Sequence, residues 1–139
     1  MNNKITILLV EDDLIDIMTI KRAFKEINIT NPIEVCGNGI EALEHFQNPK
    51  YKLPGIILLD LNMPKMNGIE FLQERKKDEQ LRLIPVIVLT TSKEEQDKVE
   101  SYQLGVAGYM IKPVDYLQFV EVIRTIHMYW TLCELPKEE

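Results

Sequence analysis

Short runs of Val, Ile and Leu recur along the chain about every 20 to 30 residues, and most of them do not alternate with polar residues: Ile5–Val10, a weak second at Ile33–Cys36 that contains Glu34, Ile56–Leu59, Val86–Leu89 and Val106–Ile111. A strand with one wet face reads apolar-polar-apolar. A run that stays apolar is buried on both faces, as in a parallel sheet with helices on each side. The intervening segments carry helical spacing. Leu14, Ile17, Ile20, Phe24 and Ile27 step by three or four residues and form one stripe. Asn38 stands three before Glu41, and Ser92 three before Glu95, which is capping-box spacing. Asn67 caps a third helix, and Asp115 with Gln118 opens a fifth just after Pro113. Pro54-Gly55 and Asn67-Gly68 read as turns, and Gly105 ends the fourth helix.

The order is strand then helix, five times over. Right-handed crossovers turn that into a doubly wound α/β sheet with helices on both faces. The five units occupy residues 4 to about 130 of 139, so one domain spanning 1–139 is expected, with a short C-terminal extension at 131–139. A content of 45% hydrophobic residues suits one globular core that needs no disulfide or metal staple. Apolar runs stay at about six residues or fewer, against the roughly 20 needed to cross a bilayer. Ile5–Val10 meets Glu11, Asp12 and Asp13 where a signal cleavage site needs small residues. Cys36 and Cys133 make neither a metal-spaced pair nor a disulfide framework, and Cys36 reads as a small buried hydrophobe. A cytoplasmic location is expected. The net charge is −6, and the adjacent basic pairs Lys21-Arg22 and Lys76-Lys77 read as solvated helix surface. Nucleic acid and anionic membrane are therefore excluded as expected partners.

In an open parallel sheet, ligands sit beyond the carboxyl ends of the strands. Glu11, Asp12 and Asp13 follow the first run, Asp60 the third, Thr90 and Thr91 the fourth, and Lys112 the fifth. Asp13 alone reads as a helix cap. Asp60, between Leu59 and Leu61, is needed neither for folding nor for a turn. Two carboxylates about 5 Å apart repel by roughly 3 kcal/mol at an effective dielectric of 20. Lys112 supplies one balancing charge, and an oxygen-lined, partly hydrated site suits Mg²⁺ for the rest. A carboxylate, a hydroxyl, a lysine and a divalent cation together make a place for a phosphoryl group, and a carboxylate is a competent nucleophile for phosphorus.

Leu8-Leu9-Val10-Glu11-Asp12-Asp13, Leu58-Leu59-Asp60-Leu61-Asn62-Met63-Pro64 with Asn67-Gly68, Pro85-Val86-Ile87-Val88-Leu89-Thr90 and Gly108-Tyr109-Met110-Ile111-Lys112-Pro113 occur in this order. Over essentially its whole length the chain resembles the receiver domain of two-component response regulators. The resemblance implies a flavodoxin-like five-stranded sheet of order 2-1-3-4-5 with five helices. It implies that Asp60 is the phosphoacceptor, charged from a phosphohistidine. Glu11, Asp12, Asp60 and the backbone carbonyl of Asn62 are then the Mg²⁺ ligands. Thr90 becomes the switch hydroxyl, Tyr109 the aromatic that moves with it, and Lys112 the phosphoryl contact, with a cis Lys112-Pro113 bond. Leu89-Thr90-Thr91-Ser92, Lys112-Pro113-Val114-Asp115 and Tyr129-Trp130-Thr131-Leu132 with Leu135-Pro136 are similar to single-domain regulators paired with phytochrome-type kinases. The implied partner is a sensor histidine kinase of that type, or a phosphotransfer protein.

Three other functions compete. A Mg²⁺-dependent aspartyl phosphohydrolase wants a general acid two residues after its nucleophile, and Asn62 cannot serve. A flavin carrier wants a Ser/Thr/Gly-rich phosphate loop where Glu11-Asp12-Asp13 would repel phosphate. An interaction module that is never phosphorylated has no use for the complete acid, hydroxyl and lysine set. Finally, the fifth helix has more apolar residues than one stripe needs. Phe119, Val122, Ile123, Ile126 and Trp130 follow one face, Tyr116, Val120 and His127 sit on a neighbouring one, and Tyr129 widens the arc further. This predicts a homodimer through the fourth helix, fifth strand and fifth helix, with Tyr129 and Trp130 as anchors; the alternative is that the C-terminal tail folds back and covers these residues within one chain.

Overall fold

A computed structural model describes residues 5–113, 115–132 and 134. Val114, Cys133 and the Leu135-Pro136 tail lie outside the described residues. The elements are β1 (Ile7–Val10), α1 (Leu14–Glu26), β2 (Ile33–Cys36), α2 (Gly39–Gln47), β3 (Ile56–Leu59), α3 (Gly68–Lys76), a 3-10 turn at Leu81–Leu83, β4 (Val86–Thr90), α4 (Glu95–Gln103), β5 (Gly108–Ile111) and α5 (Tyr116–Leu132). All strand pairs are parallel, and the sheet order is β2-β1-β3-β4-β5.

The pleat explains why the inner strands β1, β3 and β4 read as continuous apolar runs, while the edge strands β2 and β5 are only partly buried. Ile7, Leu9, Ile56, Leu58, Ile87 and Leu89 face a core shared with α1 and α5. Leu8, Val10, Ile57, Leu59, Val86 and Val88 face the opposite core, with α2 and α3. Burial on both faces removes the polar alternation of a one-sided sheet.

The expected caps hold at three helices. Asn38 accepts from Glu41 N, Asn67 and Glu70 form a full capping box, and Asp115 accepts from Leu117 N. Asn67-Gly68 is therefore a helix start, not a turn. Gly68 lies so close to the site strand that a Cβ there would meet the Asp60 carbonyl at 2.6 Å. Gly105, at φ +89°, ends α4 in the left-handed region.

Several expectations are corrected. Ser92 does not cap α4, which begins at Glu95; the Ser92 hydroxyl instead donates to Asp97 at 2.6 Å. The fifth strand begins at Gly108, not Val106. Leu14 is exposed at the first turn of α1, and Ala23 joins Ile20 and Phe24 in the buried stripe of that helix. No peptide bond among the described residues is cis, so Lys112-Pro113 is trans, the form that X-Pro bonds favour by about 0.5–1 kcal/mol. Trp130 is buried in the core against α1 and the sheet, and cannot anchor an interface.

Candidate functional site

The parallel arrangement brings the carboxyl ends of β1, β3, β4 and β5 to one edge. The register sets Val10 beside Leu59, and Asp60 N then donates to the Val10 carbonyl at 3.0 Å. Asp60 is thereby fixed next to the acidic run that follows β1. Glu11, Asp12 and Asp60 each offer a carboxylate oxygen, and these oxygens lie within 4.8 Å of one another. Glu11 and Asp60 are buried, and Asp12 is exposed at the mouth. Asp13 stands apart and caps α1, accepting from the N–H groups of Ile15 and Asp16.

Lys112 reaches the cluster from the end of β5, with its backbone N–H bonded to the Thr90 carbonyl at 2.8 Å. Its ammonium lies 2.5 Å from Glu11 Oε1, 2.8 Å from Asp16 Oδ2 and 4.0 Å from Asp60 Oδ1. Burial opposes its charge, but hydrogen bonds to Asp16 and Glu11 and the fields of Asp60 and Glu11 outweigh that, so its pKa is raised. Burial pushes the Glu11 carboxyl up to about 7. Asp60 adds to this rise, while Lys112 and the Asp13 N–H oppose it. The cluster thus carries a proton-sensitive acid whose negative charge an added cation would favour.

Asp60 Oδ1 also accepts from Leu61 N at 2.9 Å. Thr90 is fully buried at the end of β4, and its hydroxyl accepts from Ser92 N at 3.3 Å. Tyr109, half-buried, donates to the Ser92 carbonyl at 2.9 Å. Asn62 and Thr91 are exposed at the rim. Glu11, Asp12, Asp60 and Lys112 are therefore brought together, Thr90 adjoins them through its backbone bond from Lys112, and Asp13 is turned to α1 instead. Sequence reasoning missed Asp16, whose bond to Lys112 joins residues 96 positions apart. Its signal in the sequence is only that of a first-turn acid on α1.

The donor set, all oxygens with two carboxylates buried, fits a hard divalent cation rather than a soft one. Among the described residues no helix is long and apolar enough to cross a membrane.

A family model described as response regulator receiver domain matches residues 7–124. A probable methanogenesis regulatory protein, FilR2, of Methanothrix harundinacea is 39% identical over 127 residues, covering 89% of this chain and 82% of that protein. The structure of a phosphorylated cyanobacterial phytochrome response regulator, RcpA, superposes with a TM-score of 0.88 at 36% identity, covering 96% of this chain and 99% of that one. The Mn²⁺-bound form of the response regulator Rcp1 gives a TM-score of 0.86 at 35% identity, covering 95% and 99%.

Proposed function

The chain belongs to the response regulator receiver domain family, and from that premise we propose that Asp60 accepts a phosphoryl group from a phosphohistidine of a sensor histidine kinase or a phosphotransfer protein. The observation that carries this is the convergence of Glu11, Asp12 and Asp60 within 4.8 Å, with Lys112 Nζ 4.0 Å from Asp60. An Asp60 carboxylate oxygen attacks phosphorus. The new P–O bond forms as the P–N bond breaks, and the electron pair returns to the imidazole nitrogen. The product is an acyl phosphate on Asp60.

Glu11, Asp12, Asp60 and the Asn62 carbonyl would hold Mg²⁺, which when bound supplies charge neutralisation for the phosphoryl oxygens. Lys112 hydrogen-bonds one of those oxygens and Thr90 another. In this reading Thr90 and Tyr109 are the switch: the Thr90 hydroxyl leaves Ser92 N for the phosphoryl group, and Tyr109 follows the β4–α4 loop. That one similar protein is a phosphorylated phytochrome response regulator supports a kinase of the phytochrome class, and that another is a response regulator carrying Mn²⁺ supports a divalent ion. The protein then acts in the cytoplasm, where such a kinase presents its phosphohistidine. It is a phosphoacceptor and not a turnover enzyme. A homodimer through the face of α4, β5 and α5 completes the reading.

The test is labelling by acetyl phosphate with and without Mg²⁺. Label is expected on the wild-type protein with metal, and neither on Asp60→Asn nor without metal. Label at the wild-type level on Asp60→Asn would overturn the assignment.

A further inference from the structure

Lys112 is tethered twice, and only one tether belongs to the metal cluster. Glu11 Oε1, 2.5 Å from Nζ, is one of the three acids that converge. Asp16 Oδ2, at 2.8 Å, is on α1 and outside that set. An ammonium has three N–H donors and turns freely on a four-carbon stem. With Glu11 and Asp16 taking two of them, one donor remains for the Asp60 side. Asp60 Oδ1 itself, at 4.0 Å, is too far for a hydrogen bond. A phosphoryl group joined to Asp60 would bring oxygens into that gap.

A cation bound by Glu11 withdraws electron density from the same carboxylate that holds Lys112. Asp16 is then the tether that the cation leaves untouched. Its backbone is fixed locally as well, because Asp13 accepts from Asp16 N at 3.1 Å. The Asp13 cap thus places Asp16 while leaving its side chain free to face Lys112.

Resting on the phosphoacceptor reading above, we propose that Asp16 is a positioning residue for phosphoryl transfer: it holds the Lys112 ammonium in register with the phosphoryl group on Asp60 when Glu11 is shared with a metal ion. The requirement is for a hydrogen-bond acceptor at that place rather than for a negative charge. An asparagine carbonyl can meet it and an alanine cannot.

The experiment compares wild type, Asp16→Asn, Asp16→Ala and Asp60→Asn in labelling by acetyl phosphate at saturating Mg²⁺. Calorimetric titration of Mg²⁺ into each protein runs alongside. Asp16→Ala is expected to lower the maximal labelling rate about tenfold, as a misplaced group does. Its Mg²⁺ dissociation constant should stay within about twofold of wild type, since Asp16 lies outside the converging acids. Asp16→Asn should recover most of the lost rate. A wild-type rate for Asp16→Ala, or an Asp16→Asn rate no better than that of Asp16→Ala, would overturn the proposal. So would a Mg²⁺ affinity that falls in proportion to the rate, which would make Asp16 part of the metal site. If wild type itself takes no label, the phosphoacceptor reading falls and this inference with it. If wild type labels on Asp60 and Asp16→Ala labels equally well, the inference alone falls.

Discussion

Tyr109 Oη donates a 2.9 Å hydrogen bond to the carbonyl of Ser92, tying the middle of β5 to the loop that follows β4. The same serine is held twice more: its N–H by the Thr90 hydroxyl at 3.3 Å, and its own hydroxyl by Asp97 at 2.6 Å. Ser92 therefore links Thr90 both to the ring of Tyr109 and to the first turn of α4. Tyr109→Phe removes one bond and keeps the ring. It should lower stability by about 0.5–1.5 kcal/mol in urea denaturation with an unchanged m value. Equal midpoints for the two proteins would show that the bond contributes nothing.

Arg75 is the buried cation of the opposite face. Its guanidinium donates to the carbonyls of Ile84 at 2.7 Å, Arg82 at 3.2 Å and Leu104 at 3.4 Å, joining α3 to the 3-10 turn and to the end of α4. Arg75→Met keeps most of the apolar stem but leaves those carbonyls without a donor. A loss of about 2–3 kcal/mol is expected on denaturant unfolding. Arg75→Lys should recover less than half of it, since a single ammonium cannot span acceptors that the planar fork reaches together. Full recovery by lysine would refute the bridging role.

The sheet edge was legible from sequence because parallel strands all end on the same side. Glu11, Asp12, Asp60, Thr90 and Lys112 each stand at or just past the end of an apolar run, so topology alone collects them. Arg75 was not legible, because it precedes Lys76 and Lys77 and its segment reads as a solvated helix end. Asp16 was hidden for a similar reason: an acid in a helix's first turn is expected for the helix dipole alone. Trp130 shares the core-facing stripe of Phe119, Ile123 and Ile126 and is buried with it; taking Tyr129-Trp130 as one anchor overlooks that neighbours on a helix point about 100° apart, so Tyr129 is exposed and Trp130 is not.

Glu11 makes the metal-free protein sensitive to pH. Burial, with the field of Asp60, raises its carboxyl from 4.5 to about 7, so the native state keeps a proton that the unfolded chain releases. The stability from this group is complete below about pH 4.5 and is lost as pH rises through about 7. Mg²⁺ needs the ionised form, so its stabilising effect should be larger at pH 8 than at pH 6. At a hundredfold excess over its dissociation constant the gain is about 2.7 kcal/mol. Asp60→Asn should flatten the pH dependence of the apo protein and weaken the response to Mg²⁺. Thermal unfolding across pH 5–8 with and without Mg²⁺ checks this, and a metal response independent of pH would contradict it.

The proposed dimer has a definite set of contact residues once Trp130 is removed from it. On α5, Leu117, Met128 and Leu132 are exposed and share one stripe, since eleven residues is about three helical turns. Tyr129 is exposed beside them and lines an apolar cleft of about 170 Å³ with Ile87, Met110 and Ile126. On α4, Val99 and Tyr102 are exposed as well. Apolar groups gathered on one side of a small domain mark an interaction surface more often than scattered ones do. Met128→Lys puts a charge in the middle of the α5 stripe and should raise the dimer dissociation constant about tenfold or more, which is 1.4 kcal/mol at least. Lys21→Ala, on α1, should leave it unchanged. Trp130→Ala acts on a different quantity. It empties a core position and should destabilise each subunit by about 3–5 kcal/mol. Sedimentation velocity across a concentration series, with and without beryllofluoride, separates these effects. A wild-type protein that stays monomeric at tens of micromolar in both conditions would refute the dimer.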